Sequence, residues 1–321
     1  MNRRNSENKQ LWKAHCEKHY VPLHFRPGWM DCVCGKENWD VGLSLDGGGR
    51  VEGALIFCWK KRYGMRIIAS PPLTAYTGLW LNPPAKLTKP SSRMAFEKRV
   101  GENVLKQLPS HSFFFQQWHP DIGNWLPYYW KGFRQTTLYT YRIRLLNSPI
   151  ELMSGMSKSA RKRSRKAAGE FIATCSEDPK LVYDLYRLSL GKQGIVPKFS
   201  IEMLMQLDEF LSENNQRKIL VASDSNNRVV AAQYLVWDER ATYALFGGIH
   251  PEHRNSGALS MLFSIALSNN YGKSELFDFE GSVLESVEES LRSFGGKLTP
   301  HFQITRAANR WLDMLFHLRT W

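Results

Sequence analysis

The order of predicted helices and strands indicates a mixed α+β protein with two domains. At 321 residues, the chain exceeds the size at which one hydrophobic core usually divides. Each half combines helical periodicity with alternating apolar and polar runs that are typical of strands. Three such runs in the second half are joined by hairpin-length connections, which predicts an antiparallel meander. We therefore expect a mixed sheet, with domains at residues 1–147 and 148–321.

The composition favours a protein that binds polyanions. The formal net charge is +13 and 43% of the residues are hydrophobic, so the chain can form cores beneath a basic surface. Such a surface attracts RNA, nucleotide cofactors or anionic lipid headgroups. The N-terminal MNRRNSENKQ lacks the apolar core of a signal peptide, and no apolar run is long enough to cross a bilayer. We expect a cytoplasmic protein without a transmembrane segment, with peripheral contact to an anionic membrane left open.

The cysteines and histidines indicate neither a disulfide framework nor a metal site. Five cysteines lack framework spacing, and Cys32-Val33-Cys34 is too closely spaced for a common zinc pair. His15 and His19 lie four residues apart on a predicted helix but have no third ligand. We therefore expect reduced thiols and no bound metal.

The first half predicts a helix, a hairpin and a second helix. The helix covers Lys9–His19, and a loop rich in Pro and Gly follows it. WDVGLSL and VEGALIFCWKKR alternate around a Gly-rich turn, which predicts the hairpin. The proline-rich PPLTAYTGLWLNPP is expected to be irregular, and Arg93–Gln107 is expected to form the second helix.

The second half predicts a basic helix, the meander and a helix–strand–helix segment. The basic helix covers Ile150–Ala168. The meander consists of RKILVAS, RVVAAQYLVWD and ATYALFGGIH. A helix from Ser256 to Asn270, the strand ELFDFE and a helix from Leu284 to Phe294 follow.

The loop between the last meander strand and the next helix is a candidate anion site. Ser256 is placed to cap the helix, while Gly257 and Ala258 let a ligand approach its first turn. Free N–H groups at a helix start attract phosphates, and Arg254 adds a positive charge. We therefore expect Arg254, Asn255, Ser256, Gly257 and Ala258 to bind a pyrophosphate or phosphodiester.

The predicted basic helix has a cationic side and a side of small residues. Five of its six cations fall on one arc at 100° per residue, and only Arg163 lies outside it. Met156, Ala160, Ser164 and Ala167 occupy the other side. The cationic side is either simply solvated or faces the phosphates of RNA, of an acceptor or of lipids. The residues expected to bind substrate here are Arg161, Arg165 and Lys166.

Two acids and a glycine end the strand that precedes the helix at Leu284. Alternation places Asp278 and Glu280 on one face, Gly281 permits a turn, and Ser282 is placed to cap the helix. Paired carboxylates at a strand end are suited to proton transfer, and they are equally suited to organising a turn.

These stretches together resemble the Fem-type branch of the GNAT acyltransferase superfamily, which includes aminoacyltransferases of peptidoglycan interpeptide bridges. The resemblance is carried by the stretches IIASPPLTAYTG, FFQQWHPDIGNWLPYYWKGF, SARKRSRKA, HRNSGALSML and FDFEGSVLESVEESLRSFGGKLTPHF. It implies two tandem GNAT-like domains, the first of them degenerate. It also implies that Arg254–Leu259 is the donor pyrophosphate loop, although the small residue that usually ends this loop is replaced by leucine.

The resemblance further implies N-acyl transfer to an amine. The donor is acyl-CoA, with charged tRNA as the alternative, and the acceptor is an amino sugar or a peptidoglycan or polysaccharide precursor. In a GNAT fold the acyl group enters beside LFDFEGS, so Asp278 or Glu280 is the expected base, and Gly281 and Ser282 are expected to contact substrate. His250 and His253 are weaker candidates for the base. A further alternative is a non-catalytic polyanion-binding protein.

Overall fold

The computed structural model describes residues 3–145, 148–191 and 194–317, which form two compact units. The first unit contains residues 1–138 and 300–321, and the second contains residues 139–299. The expected division was 1–147 and 148–321; the first boundary between the compact units lies at residue 138, and residues from 300 onwards belong to the first unit. Asn147 lies outside the described residues. The division of the chain into two domains of common origin stays a prediction.

The mixed α+β prediction is confirmed by the elements of both units. The helices are α1 (Arg3–Lys18), α2 (Pro27–Cys34), α3 (Pro90–Leu105), α4 (Leu126–Tyr129), α5 (Pro149–Gly155), α6 (Lys158–Glu170), α7 (Pro179–Gly191), α8 (Ile201–Glu213), α9 (Ala258–Asn269), α10 (Glu285–Arg292) and α11 (Arg310–His317). The strands are β1 (Trp39–Leu45), β2 (Val51–Arg62), β3 (Met65–Ala69), β4 (Gly78–Leu81), β5 (Phe113–Gln117), β6 (Arg134–Arg144), β7 (Ile172–Ser176), β8 (Arg217–Ser223), β9 (Val229–Trp237), β10 (Ala241–Ile249), β11 (Leu276–Asp278) and β12 (Lys297–Ala307). No helix of the described segments has the length and hydropathy that a bilayer span requires.

The first unit is built on strands in the order β1-β2-β3-β5-β12, with β4 beside β2. The predicted hairpin is confirmed, because β1 and β2 pair antiparallel from Trp39↔Cys58 to Leu45↔Val51. β3 and β5 form a parallel pair. The core beneath them is rich in aromatic residues, including fully buried Trp118 and Tyr128.

Two elements of the first unit were not predicted. The loop expected after α1 contains α2, which begins with Pro27 in its first turn and buries Trp29, Met30 and Val33. The segment expected to be irregular contains β4, which pairs with β2 over Gly78–Leu81. In both places proline and glycine were taken as marks of a loop, whereas proline is compatible with the start of a helix.

The second unit has strands in the order β6-β11-β10-β9-β8-β7. The predicted meander is confirmed, because β8, β9 and β10 pair antiparallel in sequence. β11 then adds parallel to β10, and α9 provides the connection between them. The core of this unit includes Leu262 and Phe277, neither of which is exposed.

The basic segment forms two helices instead of the single helix that was predicted. α5 ends at Gly155, Met156 is extended, and the Ser157 hydroxyl accepts a hydrogen bond from Ala160 N to begin α6. An N-cap serine of this kind stabilises a new helix start, so the break follows from the sequence Met156-Ser157.

Candidate functional site

A cleft opens in the second unit where β10 and β11 separate. Their parallel pairing ends at Tyr243↔Asp278, whereas β10 continues for six residues to Ile249. A cavity of about 500 Å³, here called the acyl cavity, lies in this opening. Gly247 and Gly248 line it from β10, and Phe279 and Gly281 line it from the chain after β11. Gly281 therefore lines a cavity, and its contact with substrate stays a prediction.

Side chains hold the end of β10 in place where its pairing with β11 has stopped. The Ser189 hydroxyl of α7 donates to Ile249 O (2.7 Å) and accepts from Ile249 N (2.8 Å). Gln233 Nε2 donates to Phe246 O over 3.0 Å. A Cβ on Gly248 would lie 2.3 Å from the backbone of α7, so only glycine permits this close packing. The open edge is therefore rigid, as a preformed binding site requires.

The loop before α9 lines a second cavity, of about 520 Å³, here called the phosphate cavity. Arg254, Asn255 and Gly257 line it, together with Arg163 from α6. The two cavities share lining residues, namely Ile249, Arg254, Asn255, Leu259, Ser286 and Ser290. A ligand can therefore extend from the open end of β10 to the start of α9.

The structure divides the predicted donor-loop residues into two groups. Arg254 and Asn255 line both cavities. Ser256 and Ala258 line neither of these two cavities; the Ser256 hydroxyl accepts from Ala258 N (3.2 Å) and so shapes the turn. The N-cap of α9 is Gly257 and not Ser256, which corrects the expected cap.

Gly257 has a structural role that the sequence did not reveal. Its φ is +84°, and a Cβ there would lie 2.8 Å from Arg163 O on α6. The glycine therefore lets α9 pack against the backbone of α6. Its expected role in admitting a ligand was incomplete, because a larger side chain would first displace the neighbouring helix.

The small-residue side of α6 was predicted correctly. Ala160, Ser164 and Ala167 are buried, and the Ser164 hydroxyl donates to Ser260 O of α9 (2.8 Å). The exposed side retains Lys162, and Lys166 adds an ion pair of 3.6 Å with Glu170.

Arg161 makes contacts that differ from its predicted role, and Arg163, for which no role was predicted, lines a cavity. Arg161 was expected to bind substrate, yet its Nη1 donates to the carbonyls of Met153, Ser154 and Met156 at distances of 2.7–3.2 Å. It therefore closes the C-terminal end of α5. Arg163, the one cation outside the predicted arc, lines the phosphate cavity, with its Nη2 3.4 Å from the Ser293 hydroxyl. Arg165 is exposed on α6 and lines neither of these two cavities.

The geometry of Asp278 contradicts its proposed role as the base. Its side chain is 0% exposed. Oδ1 accepts from the Thr140 hydroxyl (2.6 Å) and from Glu280 N (2.8 Å), and Oδ2 accepts from Arg142 Nε (2.7 Å). A carboxylate held in this way joins β6 to the end of β11 and does not reach a substrate.

The expected alternation at this strand end is also wrong. β11 ends at Asp278, and Glu280 adopts a φ of +59°. Glu280 therefore does not share a strand face with Asp278, although it directly precedes Gly281 of the acyl cavity. The Ser282 hydroxyl accepts from Leu284 N (3.1 Å), which gives it a role in the turn before α10. A catalytic role for Glu280 and substrate contact by Ser282 stay predictions.

The described lining of the acyl cavity contains no Asp, Glu or His side chain. His250 and His253 do not line it; their rings lie 6.1 Å apart, and His253 contacts Phe171 at 5.8 Å. Glu280 adjoins the lining residue Gly281 in sequence but is not among the described lining residues either.

The first unit contains a parallel pair comparable to β10–β11, but the space at its end is filled. The register of β3 and β5 ends at Ala69↔Phe115, after which Thr77 N donates to Gln117 O (2.7 Å) and Thr77 pairs with Trp118. Tyr76 is fully buried beside them. Chain and aromatic side chains therefore occupy the position that is open in the second unit, and the degenerate character of the first domain stays a prediction.

The comparisons with known proteins agree with this geometry. The sequence model described as "Acetyltransferase (GNAT) domain" matches residues 154–271. The chain has the tandem GNAT fold. It is similar to the solved structure of FemX, at 12% sequence identity and a TM-score of 0.66, with 98% of each chain covered.

Two further solved structures show the same fold. The first is L-PGS from Bacillus licheniformis (14% identity, TM-score 0.53, covering 97% of this chain and 95% of that one). The second is a tandem GNAT protein from the clavulanic acid biosynthesis pathway (12% identity, TM-score 0.52, covering 95% and 96%). No curated protein is similar enough in sequence to count as a relative. The resemblance to the Fem-type branch is thus confirmed at the level of the fold.

Proposed function

We propose that the protein is an N-acyltransferase that moves an acyl group from acyl-CoA to an amine. The observation that carries this proposal is the pair of cavities with shared lining, which extends from the open end of β10 to the start of α9. An acyl-CoA has the matching form, namely an apolar thioester arm joined to a charged pyrophosphate.

The chemistry of the two cavities supports this orientation of the donor. Arg254, Arg163 and the start of α9 supply positive charge and N–H groups for the pyrophosphate, and they outnumber the one carboxylate in the described lining, that of Glu289. The thioester arm is placed along the end of β10 that extends beyond its pairing with β11. Phe263 and Phe279 provide an apolar wall around the reacting group.

In the proposed reaction, the neutral amine attacks the thioester carbonyl, the C–S bond breaks and CoA leaves as a thiolate that takes up a proton. The proton lost by the attacking amine passes through water to Glu280, which directly precedes the lining residue Gly281, and Glu280 returns it to the thiolate. For the acceptor we propose an amine on an amino sugar or on a peptidoglycan or polysaccharide precursor, as the resemblance implies.

A second candidate donor is aminoacyl-tRNA. The observation that favours it is the exposed side of α6, where Lys158, Lys162 and Arg165 are free of ion pairs among the described residues. Such a row suits an RNA backbone. The similarity in fold to FemX and L-PGS is compatible with either donor.

Calorimetric titration of the full chain with CoA, acetyl-CoA and uncharged tRNA tests the donor. We expect CoA to bind, and Arg254→Gln to weaken that binding about tenfold, since a charge-assisted hydrogen bond contributes about 1.5–3 kcal/mol. Lys180→Gln, on the exposed side of α7, is the control and should leave it unchanged. Binding of tRNA without CoA would favour the second candidate.

Acetyl transfer to a panel of amino sugars, nucleotide-linked amino sugars and lysine-containing muropeptides tests the acceptor. Retained tRNA binding without transfer to any amine, from either donor, would instead indicate a non-catalytic polyanion-binding protein.

A further inference from the structure

A cavity of about 650 Å³ lies within the first unit, apart from the acyl and phosphate cavities, and is here called the α3 cavity. The C-terminal turn of α3, the loop before β5, the segment before β6 and the end of β12 form its walls. Its lining residues are Glu102, Leu105, Lys106, Leu108, Pro109, Ser110, His111, Lys131, Phe133, Arg306 and Ala308. The volume is within the range of sites for small organic ligands.

The charges around the α3 cavity are unbalanced. Lys106, Lys131 and Arg306 face one carboxylate, that of Glu102, which leaves an excess of two positive charges. Among the described residues, none of these three cations has an ion-pair partner within 4 Å. Lys106, Lys131 and Arg306 are each exposed and line the same cavity, so an anion bound there is attracted by all three.

The walls of the α3 cavity are apolar and partly fixed. Phe133 is buried in the core of the first unit, and Leu105 and Leu108 pack against that core. The guanidinium of Arg306 lies over the Phe133 ring at 5.1 Å, which holds the cation at the edge of the apolar wall.

His111 adds a polar group of defined protonation to the cavity. Its Nδ1 lies 2.8 Å from Pro109 O, so this nitrogen carries the hydrogen and donates it. Burial, with smaller contributions from Arg306 and Arg66, lowers the pKa of His111 below its ordinary value. The neutral ring therefore keeps Nε2 as an acceptor for a hydroxyl group.

We propose that the α3 cavity binds a small phosphate monoester with an apolar body. The phosphate carries about −1.5 to −2 charges at neutral pH, which matches the excess of two positive charges from Lys106, Lys131 and Arg306. The apolar body lies against Leu105, Leu108 and Phe133. A simple carboxylate would leave one positive charge unbalanced, and inorganic phosphate would leave the apolar wall uncovered.

Phenyl phosphate is the probe, titrated calorimetrically into the full chain at low ionic strength. We expect a dissociation constant below about 1 mM and weaker binding of inorganic phosphate. Lys131→Gln/Arg306→Gln should weaken phenyl phosphate binding by at least about tenfold. The matched control is Lys61→Gln/Arg62→Gln, which also removes one lysine and one arginine, both exposed on β2. Arg62, like Arg306, lies over an aromatic ring, and the control variant should bind phenyl phosphate with wild-type affinity.

Two comparisons separate this site from the phosphate cavity. Arg254→Gln should leave phenyl phosphate binding at the α3 cavity intact, and Lys131→Gln/Arg306→Gln should leave CoA binding intact. Unweakened binding in the Lys131/Arg306 variant, or no saturable binding to wild type, would overturn the proposal. Equal affinities for inorganic and phenyl phosphate would overturn the assignment of an apolar body.

Discussion

Replacing Asp278 by asparagine should destabilise the second unit more than it slows a chemical step. Asp278 is 0% exposed and faces Arg142, whose side chain is only 11% exposed. The amide keeps the size of the side chain but removes the charge that balances the guanidinium. Breaking a buried ion pair from one side typically costs about 3–5 kcal/mol. At about 2–4 °C per kcal/mol for a domain of this size, the melting temperature should fall by about 6–20 °C.

The assay is thermal and urea unfolding of Asp278→Asn, Arg142→Gln and the double variant. The two side chains share one contact, so each single variant already loses it. The double variant should therefore lose less unfolding free energy than the two single variants together, by about 1–3 kcal/mol. Asp184→Asn is the control, since its pair with Lys180 is largely exposed and should contribute about 0–1 kcal/mol. Suppose that Asp278→Asn melts at the wild-type temperature and its turnover falls strongly. That result would refute the structural role of Asp278 in joining β6 to β11 and would support its role as the catalytic base.

Three further outcomes follow from the structure. Gly257→Val should lower the free energy of unfolding, measured with urea, by at least about 2 kcal/mol, because the φ of +84° and the nearby α6 backbone both exclude a side chain. Gly169→Ala, at a position with open space around it, is the control and should not lower it. Lys162→Glu/Arg165→Glu should make the slope of log affinity for tRNA against log salt shallower by about two units, and equal slopes would mean that the α6 face is only solvated. Burial raises the pKa of Asp40 from 3.8 to about 6, so its protonated form favours the fold; its contribution is fully present below pH 3.8 and is lost as pH rises through about 6. Asp40→Asn should therefore gain stability relative to wild type between pH 4 and 7, and parallel urea midpoints across this range would contradict that.

The parts of the fold that depend on local pattern were predictable from the sequence. Alternation and short turns defined the meander and the β1–β2 hairpin, because strand pairing across such turns involves neighbouring segments. The loop that lines the two cavities could be located for a similar reason, since it directly joins β10 to α9, whereas its role in binding a donor stays a prediction. The strand β11 was also predicted from its sequence, whereas the opening beside it was implied only by the resemblance to the GNAT fold.

The roles of individual side chains required contacts that the sequence does not contain. Asp278 binds Thr140 and Arg142, which precede it by 138 and 136 positions, so nothing near Asp278 signals its burial. Helical periodicity correctly separated the small, buried residues of α6 from its cations. It does not predict which neighbouring element each face of the helix contacts. Gly257 was interpreted from its small size alone, while its conformation and the α6 backbone explain it.

Arg161 and Arg163 provide a direct test of the assignment of faces on α6, because they carry the same group two positions apart. Arg163 lines the phosphate cavity, whereas Arg161 donates three hydrogen bonds to the carbonyls that end α5. Arg163→Gln should therefore weaken CoA binding about tenfold with little change in melting temperature, since its hydrogen bond to Ser293 is long and exposed. Arg161→Gln should lower the melting temperature and leave CoA affinity unchanged. Calorimetry and thermal unfolding on both variants separate the two effects. If Arg161→Gln weakens CoA binding while Arg163→Gln does not, the donor phosphates lie on the arc predicted from the sequence and the phosphate cavity is not their site. The opposite result would establish that the cation outside the predicted arc is the one that contacts the donor.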